Sequence, residues 1–257
     1  MRGAFYEEDI NGFLFREYGE LGRPSLLVLG LPDIGLVGPI AAMHIARSLE
    51  LPDVVGIDSY AFLPPVTVVL KGEPKHPMRI YSNGSIAVLI TDVPVSPAGI
   101  APLASAIVEY SRRRGVELLI SITGLGSPAR LGGEKPKLYW IASTDAAAKK
   151  AEETGASRFS DGLMVGPYSL ILKEAVRKRV NNIVLLAESY TDFPDPEASA
   201  EAVKAVAKLA KIDIDVSRLI KEAEMLRLRL QDMMKNTKEA LSRMGKGYEY
   251  SSTLIYS

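Results

Sequence analysis

Short apolar runs alternate with helical periodicity along most of the chain. Ser25–Leu29 (SLLVL), bounded by Pro24 and Gly30, has the form of a strand buried on both faces. Val37–Leu49 follows, with Ile40, Ala41, Ile45 and Leu49 at helical spacing, and predicts a helix. Val54–Tyr60 and Val66–Leu70 read as strands. Arg79–Ser82 and Ser85–Thr91 flank Asn83-Gly84, a pair that tolerates the positive φ angles of a tight hairpin. Ile100–Arg114 predicts a helix, Glu117–Thr123 a buried strand and Leu138–Ser143 another strand. Asp145–Thr154 and Tyr168–Val180 predict helices, and Asn182–Ala187 a strand. Strands separated by helices of this length need crossover connections, whereas the hairpin supplies an antiparallel pair. The expectation is an α/β fold over residues 1–195, a three-layer mixed sheet with helices on both faces.

Beyond Pro194 the pattern changes. Pro196–Lys211 predicts a helix, and Val216–Arg243 then runs without Gly or Pro. In it Leu219, Ala223, Leu226, Leu230, Met233, Thr237, Ala240 and Met244 recur at spacings of four and three, a narrow heptad seam. Such a helix is on the order of 40 Å long. Residues 196–244 are therefore expected to form a helical segment that packs on the core or at a subunit interface. Gly245 and Gly247 end it, leaving residues 245–257 as a flexible tail.

Composition narrows the function classes. With 257 residues the chain can bury a substantial core without staples. It has no cysteine, which excludes disulfides, a thiolate nucleophile and cysteine-ligated metals. Its 31 basic residues balance 31 acidic ones, against the basic excess of a nucleic-acid or membrane-surface protein. Met1–Asp9 is acidic and lacks the apolar core of a signal peptide, and Gly35–Ala46 is too short to cross a bilayer. The expected location is the cytoplasm.

Enzyme chemistry finds few supports. Gly30, Gly35 and Gly38 follow the first buried strand, but their spacing is not that of a dinucleotide-binding turn. Leu36 and Val37 stand where a phosphate-binding loop needs Lys and Ser or Thr. The preferred reading is that these glycines permit a tight turn and close packing. Gly124, Gly126, Gly132 and Gly133 lie after another buried strand with Arg130 and Lys135 nearby. That loop fits either a ligand site at a strand's C-terminal end or a flexible interface loop. Ser127 lacks the flanking glycines of a nucleophile elbow. Of the two histidines, His44 falls within a helix as a packed or hydrogen-bonded residue, and His76 in a solvated loop. Asp161, Asp192 and Asp195 suit turns and helix caps. No catalytic residue, metal ligand or cofactor is assigned.

Two signals point elsewhere. The chain ends Ile255-Tyr256-Ser257, a hydrophobic residue, a penultimate tyrosine and a final residue, a pattern with a chance rate of about 2% at this composition. The alternation of Tyr248, Tyr250, Ser252, Leu254 and Tyr256 equally suits a terminal strand. The body of the chain, from Pro24 to Leu230, resembles the proteasome assembly chaperone 2 family. The resemblance rests on Gly30-Leu-Pro-Asp-Ile-Gly-Leu-Val-Gly-Pro-Ile-Ala-Ala42, on Phe159-Ser-Asp-Gly162, and on Leu185-Leu-Ala-Glu-Ser-Tyr-Thr-Asp-Phe-Pro-Asp-Pro-Glu-Ala198. Ile214-Asp215 with Leu219 is similar to the family's entry into its last helix. The sequence departs at Asp33, where the family favours a small residue.

The resemblance implies a nucleoside-phosphorylase-like topology without catalysis, and self-association into a homo-oligomer, with a tetramer preferred. Among family members the chain is similar to archaeal, PbaB-type ones with a C-terminal hydrophobic–Tyr–any motif. By that resemblance Ile255, Tyr256 and Ser257 dock between α subunits of the 20S proteasome, without ATP, in assembly or activation, with a second assembly chaperone as a further partner. The chemistry of the tail suits such docking. A terminal carboxylate is a compact anion, and a tyrosine ring brings apolar area with few torsions to freeze. One tail binds weakly, several on one oligomer bind with avidity, and an extended chain from Gly245 reaches roughly 40 Å. The alternative is an enzyme binding a nucleoside or phosphate near Gly35, Gly126 and Arg130.

Overall fold

A computed structural model describes residues 4–221 together with Lys235 and Glu239. In chain order the elements are β1 (Tyr6–Ile10), β2 (Phe13–Glu17), β3 (Leu26–Gly30), α1 (Val37–Ser48), β4 (Asp53–Asp58), β5 (Val68–Leu70), β6 (Glu73–Lys75), β7 (Met78–Ser82) and β8 (Ile86–Thr91). They continue with α2 (Ile100–Arg113), β9 (Leu118–Gly126), α3 (Pro128–Leu131), β10 (Leu138–Ala142), α4 (Asp145–Glu152) and β11 (Ser157–Arg158). The last are α5 (Pro167–Lys178), β12 (Asn182–Ser189), α6 (Pro196–Ala210) and α7 (Ser217–Lys221).

Ten strands form one mixed sheet in the order β1-β2-β4-β7-β8-β3-β9-β12-β10-β11. Its centre, β8-β3-β9-β12, is parallel, and β1-β2-β4-β7 extend it antiparallel on one side. Alternation along the central strands supplies both faces. Leu26 and Val28 of β3 pack with α1, α4 and α6, whereas Leu27 and Leu29 pack with α2 and α5. The expected three-layer mixed α/β architecture is present. Central strands covered on both sides must be apolar throughout, which is why SLLVL and its counterparts are continuous apolar runs.

The departures lie where one face or both are wet. Tyr6–Glu17 forms an N-terminal hairpin that the apolar pattern does not announce, because β1 is mostly exposed and acidic. Its turn is Asn11-Gly12, with φ of 55° and 81°, the geometry that favours this dipeptide. Phe13, Phe15 and Glu17 of β2 face the core, and the buried Glu17 carboxylate accepts from Tyr110 Oη at 2.5 Å and pairs with Arg114 at 2.7 Å. The hairpin at Asn83-Gly84 forms as expected, but through a four-residue loop. Asn83 Oδ1 accepts from the N–H groups of Ser85 (3.1 Å) and Ile86 (3.0 Å), so the side chain rather than an Asn-Gly two-residue turn shapes it. Val66–Leu70 does not join the main sheet. Only Val68–Leu70 is extended, and it pairs with β6 as a separate hairpin. The long seam from Ala223 to Met244 and the tail from Gly245 lie outside the described residues, Lys235 and Glu239 apart.

Candidate functional site

The four parallel strands end at one edge, and the loops leaving them carry the motif segments. The Leu31–Leu36 loop after β3, the Ser127–Lys135 loop after β9 and the Tyr190–Asp195 loop after β12 meet there. Asp195 holds them together. Its carboxylate accepts from Arg130 Nε (3.1 Å), Arg130 Nη2 (3.2 Å), Tyr190 N–H (3.3 Å) and Ala198 N–H (3.0 Å). Its backbone N–H donates to the Gly35 carbonyl at 2.8 Å. One residue thus caps α6, fixes the β12 loop and ties both to the β3 loop.

Arg130 is buried, its guanidinium stacked 4.8 Å from the Tyr190 ring centroid. Beyond Asp195 it reaches Glu197 at 2.7 Å and the Glu134 carbonyl. Burial opposes its charge, but the bonds to Asp195 and Glu197 outweigh that and hold its pKa above the ordinary value. A bidentate, doubly compensated guanidinium is a structural bolt: four of its donor contacts are already taken. Of the two readings left open for this loop, ligand site or interface loop, the ligand site gains no free guanidinium from Arg130. The sequence lacked the information because its partners lie 65 and 67 positions away.

The glycines behave as the packing reading requires. Gly35 has φ of +62°, and a Cβ there would fall 1.9 Å from Ser189 Oγ. Across the same contact, a Cβ on Gly124 would sit 2.3 Å from the Ile34 carbonyl. Asp33, the departure from the family pattern, is buried, and Thr123 Oγ1 donates to its carboxylate. On the opposite face Tyr168 closes the end of β3. Its hydroxyl accepts from Leu31 N–H at 2.7 Å and sits 2.9 Å from the Leu29 carbonyl. Full burial holds this phenol well above its ordinary pKa. Nothing in the sequence singles Tyr168 out beyond its place at the start of a helix. Phe159 stands apart from this edge, its N–H bonded to the Trp140 carbonyl at 2.9 Å and its ring edge-on to Tyr139.

Other candidates are accounted for in place. His44 is half-buried and hydrogen-bonds the Asp215 carbonyl at 2.8 Å, fastening α1 to the chain entering α7. His76 is not solvated: it is buried, 3.6 Å from Asp58, with its ring where a side chain on Gly56 would be. Burial pushes its pKa down, with Asp58 opposing. Asp192 accepts from Thr191 Oγ1 at 3.0 Å. Among the described residues no group of His, Asp and Glu could hold a metal ion, and no helix is long and apolar enough to cross a membrane. Ile255, Tyr256 and Ser257 lie outside the described residues.

The architecture, a mixed ten-stranded sheet with helices on both faces, is that of an α/β protein whose fold recurs in solved structures. The PAC2 family profile matches residues 27–234, and the chain belongs to that family. The fold is similar to PbaA of Pyrococcus furiosus, described as an archaeal homolog of proteasome-assembly chaperone, with TM-score 0.79 and 31% identity over 88% of this chain and 99% of that one. It is also similar to P. furiosus PbaB, described as an archaeal proteasome activator, with TM-score 0.70 and 20% identity over 87% and 99% of the two chains. In sequence it is 27% identical to protein MJ0106 of Methanocaldococcus jannaschii over 87% of this chain and 91% of the relative.

Proposed function

We propose that this protein is a proteasome assembly chaperone that acts as a cytoplasmic homo-oligomer without catalysis or ATP. The observation that carries this reading is the likeness to PbaA across 88% of the chain, within a family matched from residue 27 to 234. The saturated crown agrees with it. The edge where open α/β sheets hold ligands is filled by the protein's own Arg130, Asp195 and Gly35. The nucleoside or phosphate alternative draws no support from Arg130.

In this reading residues 1–195 form the core, 196–244 a helical segment and 245–257 a tether. Ile255, Tyr256 and Ser257 are the segment that docks in the α-ring of the 20S proteasome. Several tails on one oligomer make the later contacts intramolecular. The greater identity to PbaA than to PbaB favours an assembly role over gate opening.

The test is capture of purified 20S particles by wild type, by Tyr256→Ala and by a chain lacking the last three residues. Both variants are expected to lose binding while keeping the wild-type oligomeric mass. Undiminished capture by either removes the tail from the mechanism.

A further inference from the structure

The sheet edge opposite the crown, where β9 and β12 begin, holds a cleft of about 420 Å³. That volume is in the range of small-molecule sites. Arg112 from the last turn of α2 and Arg179 from the end of α5 line it, with Lys150 of α4 and Glu117 ahead of β9. Val116 and Val180 supply its apolar lining. Asn181 is fixed in place. Its side-chain amide donates to the Glu117 carbonyl at 3.1 Å, and its Oδ1 accepts from Thr144 Oγ1 at 2.6 Å. One residue from Arg179, Lys178 Nζ donates to Glu109 at 3.0 Å and clamps α5 to α2.

Only some of the charges here are spent on one another. Arg112 is paired with Glu109 at 2.8 Å, Arg177 with Glu174 at 2.5 Å, and Lys178 with both carboxylates. The Arg179 guanidinium and the Lys150 ammonium, by contrast, make no hydrogen bond or ion pair among the described residues. Nor does the Glu117 carboxylate, although it lines the same cleft. Arg179 also holds a backbone conformation that disfavours it. Its φ of 55° and ψ of 37° are left-handed, at a helix end where glycine is the usual residue. Lys211 does the same at the end of α6, with φ of 54°, but it does not line the cleft.

We propose that this cleft binds a small multivalent anion of the phosphate or pyrophosphate type, held by Arg179 and Lys150. A guanidinium fork meets phosphate oxygens through paired hydrogen bonds, and an ammonium meets them as a compact point charge. Arg112, engaged through Nε and Nη2, has Nη1 left to contribute. Three cations against one carboxylate give the lining an excess of positive charge. Glu117 opposes an anion and so limits its affinity. The crown offers no comparable pair of cations, because Arg130 is bonded to Asp195, Glu197 and the Glu134 carbonyl. The site is separate from the proposed function: neither the tail nor oligomerisation enters it.

Calorimetric titration of the full chain with inorganic pyrophosphate at low salt tests the site. Saturable binding is expected, weakening as sodium chloride screens the charges. Arg179→Gly removes the cation and suits the left-handed backbone. It should weaken binding at least about tenfold without lowering the melting temperature. Lys211→Gly makes the same backbone change outside the cleft lining and should leave binding as in wild type. Lys150→Gln should weaken binding as Arg179→Gly does, whereas Glu117→Gln should tighten it. ADP run beside pyrophosphate tells the two sources of such an anion apart. Tighter binding of ADP assigns the cleft to a nucleotide's diphosphate, and weaker binding to the free anion. Four results overturn the proposal: no saturable binding of pyrophosphate, undiminished binding by Arg179→Gly, an equal loss in Lys211→Gly, or weaker binding by Glu117→Gln.

Discussion

The crown at the ends of the parallel strands and the β5–β6 hairpin are opposites. In the crown three loops bury their polar groups and engage them with one another, and Asp195 alone accepts four hydrogen bonds. In the hairpin Val69 is exposed, and among the described residues β5 pairs with β6 alone. Motif-rich sequence sits in the first and motif-poor sequence in the second. Dense chemical residues in this protein therefore mark a lock that shapes the body.

The largest test of that contrast is Asp195→Ala. It removes one of the two carboxylates that compensate the buried Arg130 and uncaps α6, and is expected to cost about 3–5 kcal/mol in denaturant unfolding. A loss below about 1 kcal/mol would mean the crown is not a lock. Gly35→Ala comes next. The left-handed backbone and the clash with Ser189 predict a loss of about 2–4 kcal/mol by the same measurement.

The hairpin's base supplies a smaller, pH-dependent effect. His76 follows β6, and burial depresses its pKa below 6.5. In the window from 6.5 down to the folded value the unfolded chain binds the proton and the folded chain does not, so stability falls on acidification. Thermal melts of His76→Asn are expected to be flatter than wild type across that window; parallel curves would show that His76 is not held neutral. The smallest effect belongs to Val69→Lys, which should change folding stability by less than about 0.5 kcal/mol because Val69 is 65% exposed. A large stability loss there would make the strand part of the body.

Much of the fold is legible in the chain alone. Leu26–Gly30 and Ile86–Thr91 are buried throughout, so burial imprints itself as a near-continuous apolar run, and in β9 the buried Ser121 and Thr123 interrupt the run without being exposed. The N-terminal hairpin leaves no such imprint because the one inward polar residue, Glu17, breaks the alternation and is satisfied by Tyr110, 93 positions away. Asp195 can be read as a helix cap from Pro196 beside it, but its pairing with Arg130 cannot. Likewise His76 reads as solvated between Lys75 and Pro77, and only the missing side chain of Gly56 makes room for it in the interior.

By itself, then, the sequence determined the alternation of strands and helices, the capping of α6, the tight turn at Gly35 and the family, because these depend on neighbours in the chain or on periodicity. The tertiary structure decided which charges are neutralised, which histidine is buried and which hairpin stands outside the main sheet. Those outcomes depend on groups far apart in sequence that meet only when the sheet has formed.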